Sequence, residues 1–140
     1  MNKIRKIHKN DINNGVTKLL NQLSPTNKID KNEFENFVKN LNDNHQIWVI
    51  ERNKKIIAMG TILIEKKIIH DMGLVAHIED IVVDKESRGQ KLGKTIINLL
   101  IEIAKDKNCY KVILNCKDEL IPFYKKLNFE KKSNQMAVYF

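Results

Sequence analysis

The stretch that most constrains this chain is Ile81-Val82-Val83-Asp84-Lys85-Glu86-Ser87-Arg88-Gly89-Gln90-Lys91-Leu92-Gly93-Lys94. Three β-branched residues read as the end of a strand, and a polar loop with glycine follows. From Leu92 to Lys107 the apolar residues Leu92, Ile96, Leu99, Leu100 and Ile103 fall on one helical face. The N–H groups at such a helix start lack partners and sit at the positive end of the macrodipole, so the loop suits an anion. Gly89 and Gly93 let a phosphate approach the backbone. The run from Gly89 to Thr95 looks like a P-loop, but three residues separate its glycines where G-x-x-x-x-G-K-[ST] has four. That spacing argues against a nucleotide hydrolase.

The rest of the chain supplies the frame. Lys3 to His8 alternates like a short strand, and Asp11, a good N-cap, opens a predicted helix to Leu23 that Ser24-Pro25 ends. A second helix is predicted from Asp30, with Phe34, Phe37, Val38 and Leu41 on one stripe. Ile47 to Glu51 and Ile56 to Ile64 read as strands joined by a hairpin at Arg52-Asn53-Lys54-Lys55, and Val75 to Val83 as another strand. Beyond the long helix, Tyr110 to Cys116 reads as strand, Leu120 to Leu127 as helix and Phe129 to Tyr139 as strand. The order β-α-α-β-β-β-α-β-α-β predicts an α/β fold with a central mixed β-sheet flanked by helices, hairpins first and crossovers later. No linker or low-complexity break divides residues 1–140, which read as a single domain.

Bulk numbers narrow the partners. Lys and Arg total 25 against 17 Asp and Glu, a net charge of +8, which suits nucleic acid, a membrane surface or a phosphorylated small molecule. Arginine stands only at 5, 52 and 88, and AT-rich codons favour lysine, so part of the excess needs no functional cause. Aromatic residues are 6% and do not alternate with lysine, which argues against a non-catalytic nucleic-acid-binding module. No stretch approaches the ~20 apolar residues of a membrane span, and Met1 to Asn10 lacks a signal peptide's apolar core. Cys109 and Cys116 flank one predicted strand, ~23 Å apart at strand rise where a disulfide needs Cα atoms within ~7 Å. A reducing cytoplasm is the expectation. His70 and His77 fall on opposite faces of a strand at that spacing, so no metal is expected.

Arg88-Gly89-Gln90-Lys91-Leu92-Gly93 resembles the acetyl-CoA pyrophosphate loop of the GNAT acetyltransferase superfamily, [RQ]-x-x-G-x-[GA] after a strand. Lys91 departs from it at the first glycine. Phe123-Tyr124-Lys125-Lys126-Leu127-Asn128-Phe129 resembles the superfamily's F-Y-x-x-x-G-F, with Asn128 replacing glycine. Asparagine tolerates the left-handed conformation that ends a helix. Lys66-Lys67-Ile68-Ile69-His70, His77 to Val83 and Asn108 to Val112 resemble one branch, the glucosamine 6-phosphate N-acetyltransferases. The resemblance runs over nearly the whole chain and is densest from Thr61 to Phe129.

It implies the GNAT acyl-CoA N-acyltransferase fold, acetyl-CoA as co-substrate, no metal, and a homodimer with shared sites. Ile81, Val82 and Val83 would pair with the pantetheine arm, and Arg88, Gly89, Gln90, Lys91, Leu92 and Gly93 would hold the pyrophosphate. Ser24, Lys67, Ile68, Ile69, His70, Glu79 and Asp80 would line the sugar-phosphate site, which Tyr110 and Lys111 would reach from the other subunit. Tyr124 would lie beside the thioester sulfur.

The chemistry fits these residue types. A neutral sugar amine attacks the thioester carbonyl and must then lose a proton, for which Asp80 and Glu79 are candidate acceptors. A backbone N–H where the strand splays suits the oxyanion, and the Tyr124 phenol suits protonation of the departing thiolate. Asn115 stands where the branch has an acidic residue, keeping an acceptor but no charge. Tyr139 stands where it has an arginine for the sugar phosphate, and lacks a guanidinium's bidentate reach. Leu120 replaces an asparagine expected near the pantetheine, and the first helical region is shorter than usual. A GNAT enzyme acting on another amine, such as a peptide, a polyamine or another amino sugar, is the rival reading, although lysines near the site argue against a cationic substrate.

Overall fold

The structure is a computed structural model that describes residues 1–140. Its sheet has five strands in the order β1-β2-β3-β4-β5: β1 (Lys3–Lys6), β2 (His45–Arg52), β3 (Lys55–Lys66), β4 (Leu74–Val83) and β5 (Cys109–Ile113). Neighbours are antiparallel except β4 and β5, which run parallel because the helix α4 (Leu92–Asp106) crosses between them. The predicted hairpin forms, with Asn53 and Lys54 at positive φ between β2 and β3. No helix is long and apolar enough to cross a membrane.

Alternating side chains send two sets of apolar residues to opposite faces. On one face Ile50, Ile62 and Ile78 pack against Ile96, Ile97 and Leu100 of α4. Gly60 permits the close approach, since a Cβ there would lie 2.5 Å from Ile96 and 2.6 Å from Ile81. On the other face Ile47, Val49, Ile56 and Val82 meet Val16 and Leu19 of α1 (Val16–Leu23) and Phe34 of α2 (Lys31–Lys39). Asp30 caps α2 by accepting from the Glu33 N–H at 3.0 Å.

Four expected elements differ. The helix predicted from Asp11 is instead a 3-10 turn over Lys9–Asn13, a break at Gly15 (φ 89°), and then α1. Asp11 is buried, accepts from the His8 N–H at 2.7 Å and pairs with both terminal nitrogens of Arg5 at 2.8 Å, so its carboxylate serves β1 rather than an α-helical start. These bonds hold its carboxyl below the usual range against the opposing effect of burial. Strand β5 ends at Ile113, short of Cys116, and the last helix is a 3-10 turn (Asp118–Leu120) followed by α5 (Ile121–Lys125). The strand predicted over Phe129 to Tyr139 does not form: after Phe129 the chain is exposed through Phe140, and Met136, Val138 and Tyr139 find no cover from any element. A strand needs a partner edge, and this segment lies along none of the sheet's free edges.

Candidate active site

Parallel pairing of β4 with β5 runs from Leu74–Cys109 to His77–Ile113 and stops. The rest of β4, Ile78 to Val83, keeps β3 on one side and has no strand on the other. Its free edge offers backbone N–H and C=O groups to an extended ligand, the pairing mode of an added strand. On the β3 side the register shifts between Met59 and Thr61, where Gly60 opposes both Asp80 and Ile81 and Asp80 takes a φ of 52°. This β-bulge turns the strand where the free edge begins to splay.

Asp84 ends the strand and caps a 3-10 turn, Lys85–Ser87, and Ser87 is buried. Arg88 is extended, Gly89 is left-handed (φ 81°) with nothing within 4 Å of a notional Cβ, and Lys91 is left-handed (φ 61°) immediately before α4. No side chain caps α4, so its first N–H groups face the loop unpartnered. Gly93 leaves the backbone bare beside Val83 and Phe123. The six positions Arg88 to Gly93 thus present main-chain groups at a positive helix end, which suits a pyrophosphate.

Tyr124, on α5, is 8% exposed and packs edge-on against Phe123 and Phe129, with ring centroids 5.0 and 5.7 Å away. Burial pushes its phenol above the ordinary value, and the Cys116 thiol nearby adds to that. The group therefore stays protonated through neutral pH. Asn115 is exposed on the segment between β5 and α5.

Glu79 and Asp80 are exposed at the bulge. Asp80 borders a cavity of about 390 Å³ between the sheet and α1/α2, whose other polar walls are Thr61 and Glu33. Ser24, the C-cap of α1, is exposed in a turn closed by Thr26, whose N–H donates to Asn21 (2.6 Å) and whose hydroxyl donates to the Ser24 carbonyl (2.9 Å).

The remaining candidates gather elsewhere. The Lys67 N–H donates to the Gly73 carbonyl at 2.8 Å and closes a turn, α3 (Ile69–Met72), in which His70, Asp71 and Met72 all have positive φ. Ile68 and Ile69 point outward, 84% and 61% exposed. His70 lies in this turn, not on a strand, so the strand-face reasoning for His70 and His77 does not apply. Its ring stacks on Tyr110 (4.3 Å, 31°), over which the Lys111 ammonium sits at 5.6 Å. Lys67 pairs with Glu65, which also bonds His77 at 2.9 Å and whose carboxyl is held low, first by His77 and then by Lys67. No hydrogen bond or ion pair joins this group to Ser24 or Asp80.

Two contacts escaped the sequence. The Gln22 amide, near the end of α1, donates to Asp84 Oδ1 at 3.1 Å while its oxygen accepts the Lys85 N–H at 2.8 Å. Arg52, from the hairpin, donates to Gln90 Oε1 in the loop at 2.5 Å. No local pattern links positions 22 and 84 or 52 and 90. The only signal was Asp84 itself, a turn-forming residue at the end of a strand.

Residues 14–129 match the sequence model of the acetyltransferase (GNAT) family. The chain is 41% identical to the glucosamine 6-phosphate N-acetyltransferase of Arabidopsis thaliana, over 99% of this chain and 96% of the relative. It is 40% identical to glucosamine 6-phosphate N-acetyltransferase 1 of Dictyostelium discoideum, over 92% and 85%. The Arabidopsis crystal structure superposes with a TM-score of 0.97, covering 100% of this chain and 99% of that one. An acetyltransferase from Trypanosoma brucei superposes at 0.94, with 30% identity and full coverage of both.

Proposed function

Because this chain belongs to the GNAT acetyltransferase family and, within it, to the glucosamine 6-phosphate N-acetyltransferases, we propose that it transfers the acetyl group of acetyl-CoA to the amine of glucosamine 6-phosphate. The products are N-acetylglucosamine 6-phosphate and CoA, and the transfer is direct, within a ternary complex. The observation that carries the reading is the free edge of β4 over Ile78–Val83, leading straight into the uncapped start of α4. One extended ligand with a diphosphate at its end fits both. Ile81, Val82 and Val83 pair with its pantetheine arm, and Arg88 to Gly93 hold its pyrophosphate.

The thioester then lies by the bulge, where a main-chain N–H stabilises the oxyanion. The amine nitrogen bonds to the carbonyl carbon and the carbon–sulfur bond breaks. The proton lost by the amine goes to Asp80 or Glu79, and Asn115 offers it an acceptor. Tyr124 gives its proton to the thiolate, a role that suits a phenol kept protonated by burial. Lys67 and Lys111 supply charge for the sugar phosphate, with Ser24, His70 and Tyr110 around the ring and Ile68 and Ile69 framing the turn.

We further propose a homodimer with shared sites, made from residues 1–140 acting as one acetyltransferase domain in the cytoplasm, with small-molecule partners and neither nucleic acid nor membrane. Supporting the dimer, Ile68, Ile69 and Met72 protrude from one turn and Met136, Val138 and Tyr139 from the C-terminal arm, all uncovered.

Thiol release from acetyl-CoA, with glucosamine 6-phosphate, glucosamine, spermidine and a lysine peptide compared side by side, tests the activity. The phosphorylated sugar should be fastest. Equal rates with and without the 6-phosphate would reject the acceptor assignment.

A further inference from the structure

The two segments that meet at the end of α1 belong to the two halves of the site. Gln22 lies two positions before Ser24, in the acceptor turn, and its amide reaches across to Asp84 and Lys85, three to four positions before Arg88. Both ends of that one amide are used, on consecutive residues, which fixes its orientation and the distance between the helix end and the loop.

The contact is braced on the far side. Asp84 is 4% exposed, its second oxygen accepts from the Lys55 ammonium at 2.8 Å, and its own N–H donates to the Ile57 carbonyl at 2.8 Å. Lys55 first, then Gln22, hold its carboxyl below the usual range. The carboxylate is thus ionised and held from both sides, a post to which α1 is attached. Asn21, the neighbour of Gln22, holds the Thr26 N–H and so shapes the turn containing Ser24.

We propose that Gln22 is a positioning residue that ties the donor loop to the acceptor turn, so that binding of CoA and binding of the amino sugar phosphate reinforce each other through this amide. The proposal rests on the acetyl-CoA and glucosamine 6-phosphate assignment above. Its physical basis is linkage: a group shared by two sites that is ordered by either ligand lowers the cost of ordering for the other, and by the same factor in both directions.

The test uses the full chain as wild type, Gln22→Ala, Gln22→Glu and the double variant Gln22→Glu/Asp84→Asn. Calorimetry gives the CoA Kd with and without glucosamine 6-phosphate, and kinetics give KM and kcat. Gln22→Ala should weaken CoA binding roughly five- to tenfold, the upper range for losing one ordinary hydrogen bond. Its kcat at saturation should fall less, about twofold, and the mutual enhancement of the two ligands should shrink toward none. Gln22→Glu sets a second carboxylate against Asp84 and should be weaker still. In the double variant the amide introduced at position 84 donates to the carboxylate introduced at position 22, which still accepts the Lys85 N–H. That exchange of donor and acceptor should recover part of the CoA affinity lost in Gln22→Glu, short of wild type because the amide at position 84 no longer accepts the Glu86 N–H.

A Gln22→Ala protein that binds CoA as wild type does overturns the proposal, as does a double variant no better than Gln22→Glu. If Gln22→Ala does not fold, the comparison of Gln22→Glu with the double variant decides alone. A merely structural contact would shift the melting temperature in all variants without ranking their CoA affinities in this order. A wild type that binds CoA but leaves the sugar unacetylated removes the acceptor assignment, while the CoA ranking still judges the tie.

Discussion

Where the donor is proposed to bind, from Ile78 to Gly93, the recognition groups are main chain: an unpaired strand edge, a left-handed loop and the first N–H groups of α4. Where the acceptor is proposed to bind, they are side chains, Ser24, Lys67 and His70 at turns and Lys111 on β5, spread over several segments. Main-chain groups are positioned by the sheet and helix that carry them, so the proposed donor half needs one chain alone and few particular side chains. The acceptor half is held only by what folds its turns, such as the stack of His70 on Tyr110 and the Lys67–Gly73 closure.

Tyr124 is the proposed proton donor to the thiolate, and its removal should have the largest effect. Tyr124→Phe keeps the ring packed against Phe123 and Phe129 and deletes only the proton donor. Turnover should fall on the order of 100-fold, the lower range for general acid catalysis, with CoA affinity little changed. The sign of the pH dependence follows from the raised phenol: the wild type should hold its rate through neutral pH and lose it as the phenol ionises, above the usual tyrosine value. An unchanged turnover number in stopped-flow thiol release would remove Tyr124 from the chemistry.

The donor half was legible in the sequence because its signals are local. A β-branched strand, a glycine-bearing loop and a 3.6-residue apolar period all occur within Ile81 to Lys107, and each persists in the fold. Asp30 likewise caps the helix that it was expected to cap. Asp11 did not, because Arg5 and the His8 N–H compete for the same carboxylate from positions that no helical pattern contains. The left-handed run His70–Met72 was also hidden: Asp71 and Gly73 mark a turn, but the close fit of Gly73 against Tyr110 joins residues far apart in sequence. The segment from Phe129 to Tyr139 reads as a strand, but a strand reading names a conformation and not the edge that would pair with it. The Gln22–Asp84 bond was invisible for a related reason: its partners are 62 positions apart.

The comparison sharpens if the C-terminal arm belongs to the acceptor half of a second copy. Deleting Ser133 to Phe140 removes the exposed Met136, Val138 and Tyr139 and touches no element of the donor half. Light scattering should then report a monomer. The KM for glucosamine 6-phosphate should rise roughly tenfold, about one lost polar contact's worth of binding, while CoA binding by calorimetry stays as in wild type. A truncated chain that remains dimeric with an unchanged KM would assign the arm no part in the site and make the acceptor half, like the donor half, a property of one chain.

The smallest expected effect probes the backbone character of the donor half directly. Lys91 holds φ at 61° immediately before α4, a conformation that crowds its Cβ against the following carbonyl. Relief of that crowding by Lys91→Gly is offset in part by the greater freedom of glycine in the unfolded chain. The net gain should be on the order of 0.5–1 kcal/mol in urea unfolding, from the difference of those two costs. If the loop grips the pyrophosphate by N–H groups alone, CoA affinity should hold in the same variant, because the N–H at position 91 and the uncapped start of α4 are retained. A fall in CoA affinity that grows at low salt would instead mean that the lysine ammonium contributes charge to the phosphate. The departure from glycine at this position would then be a side-chain adaptation within a main-chain site, and the line between the two halves would run through the loop itself.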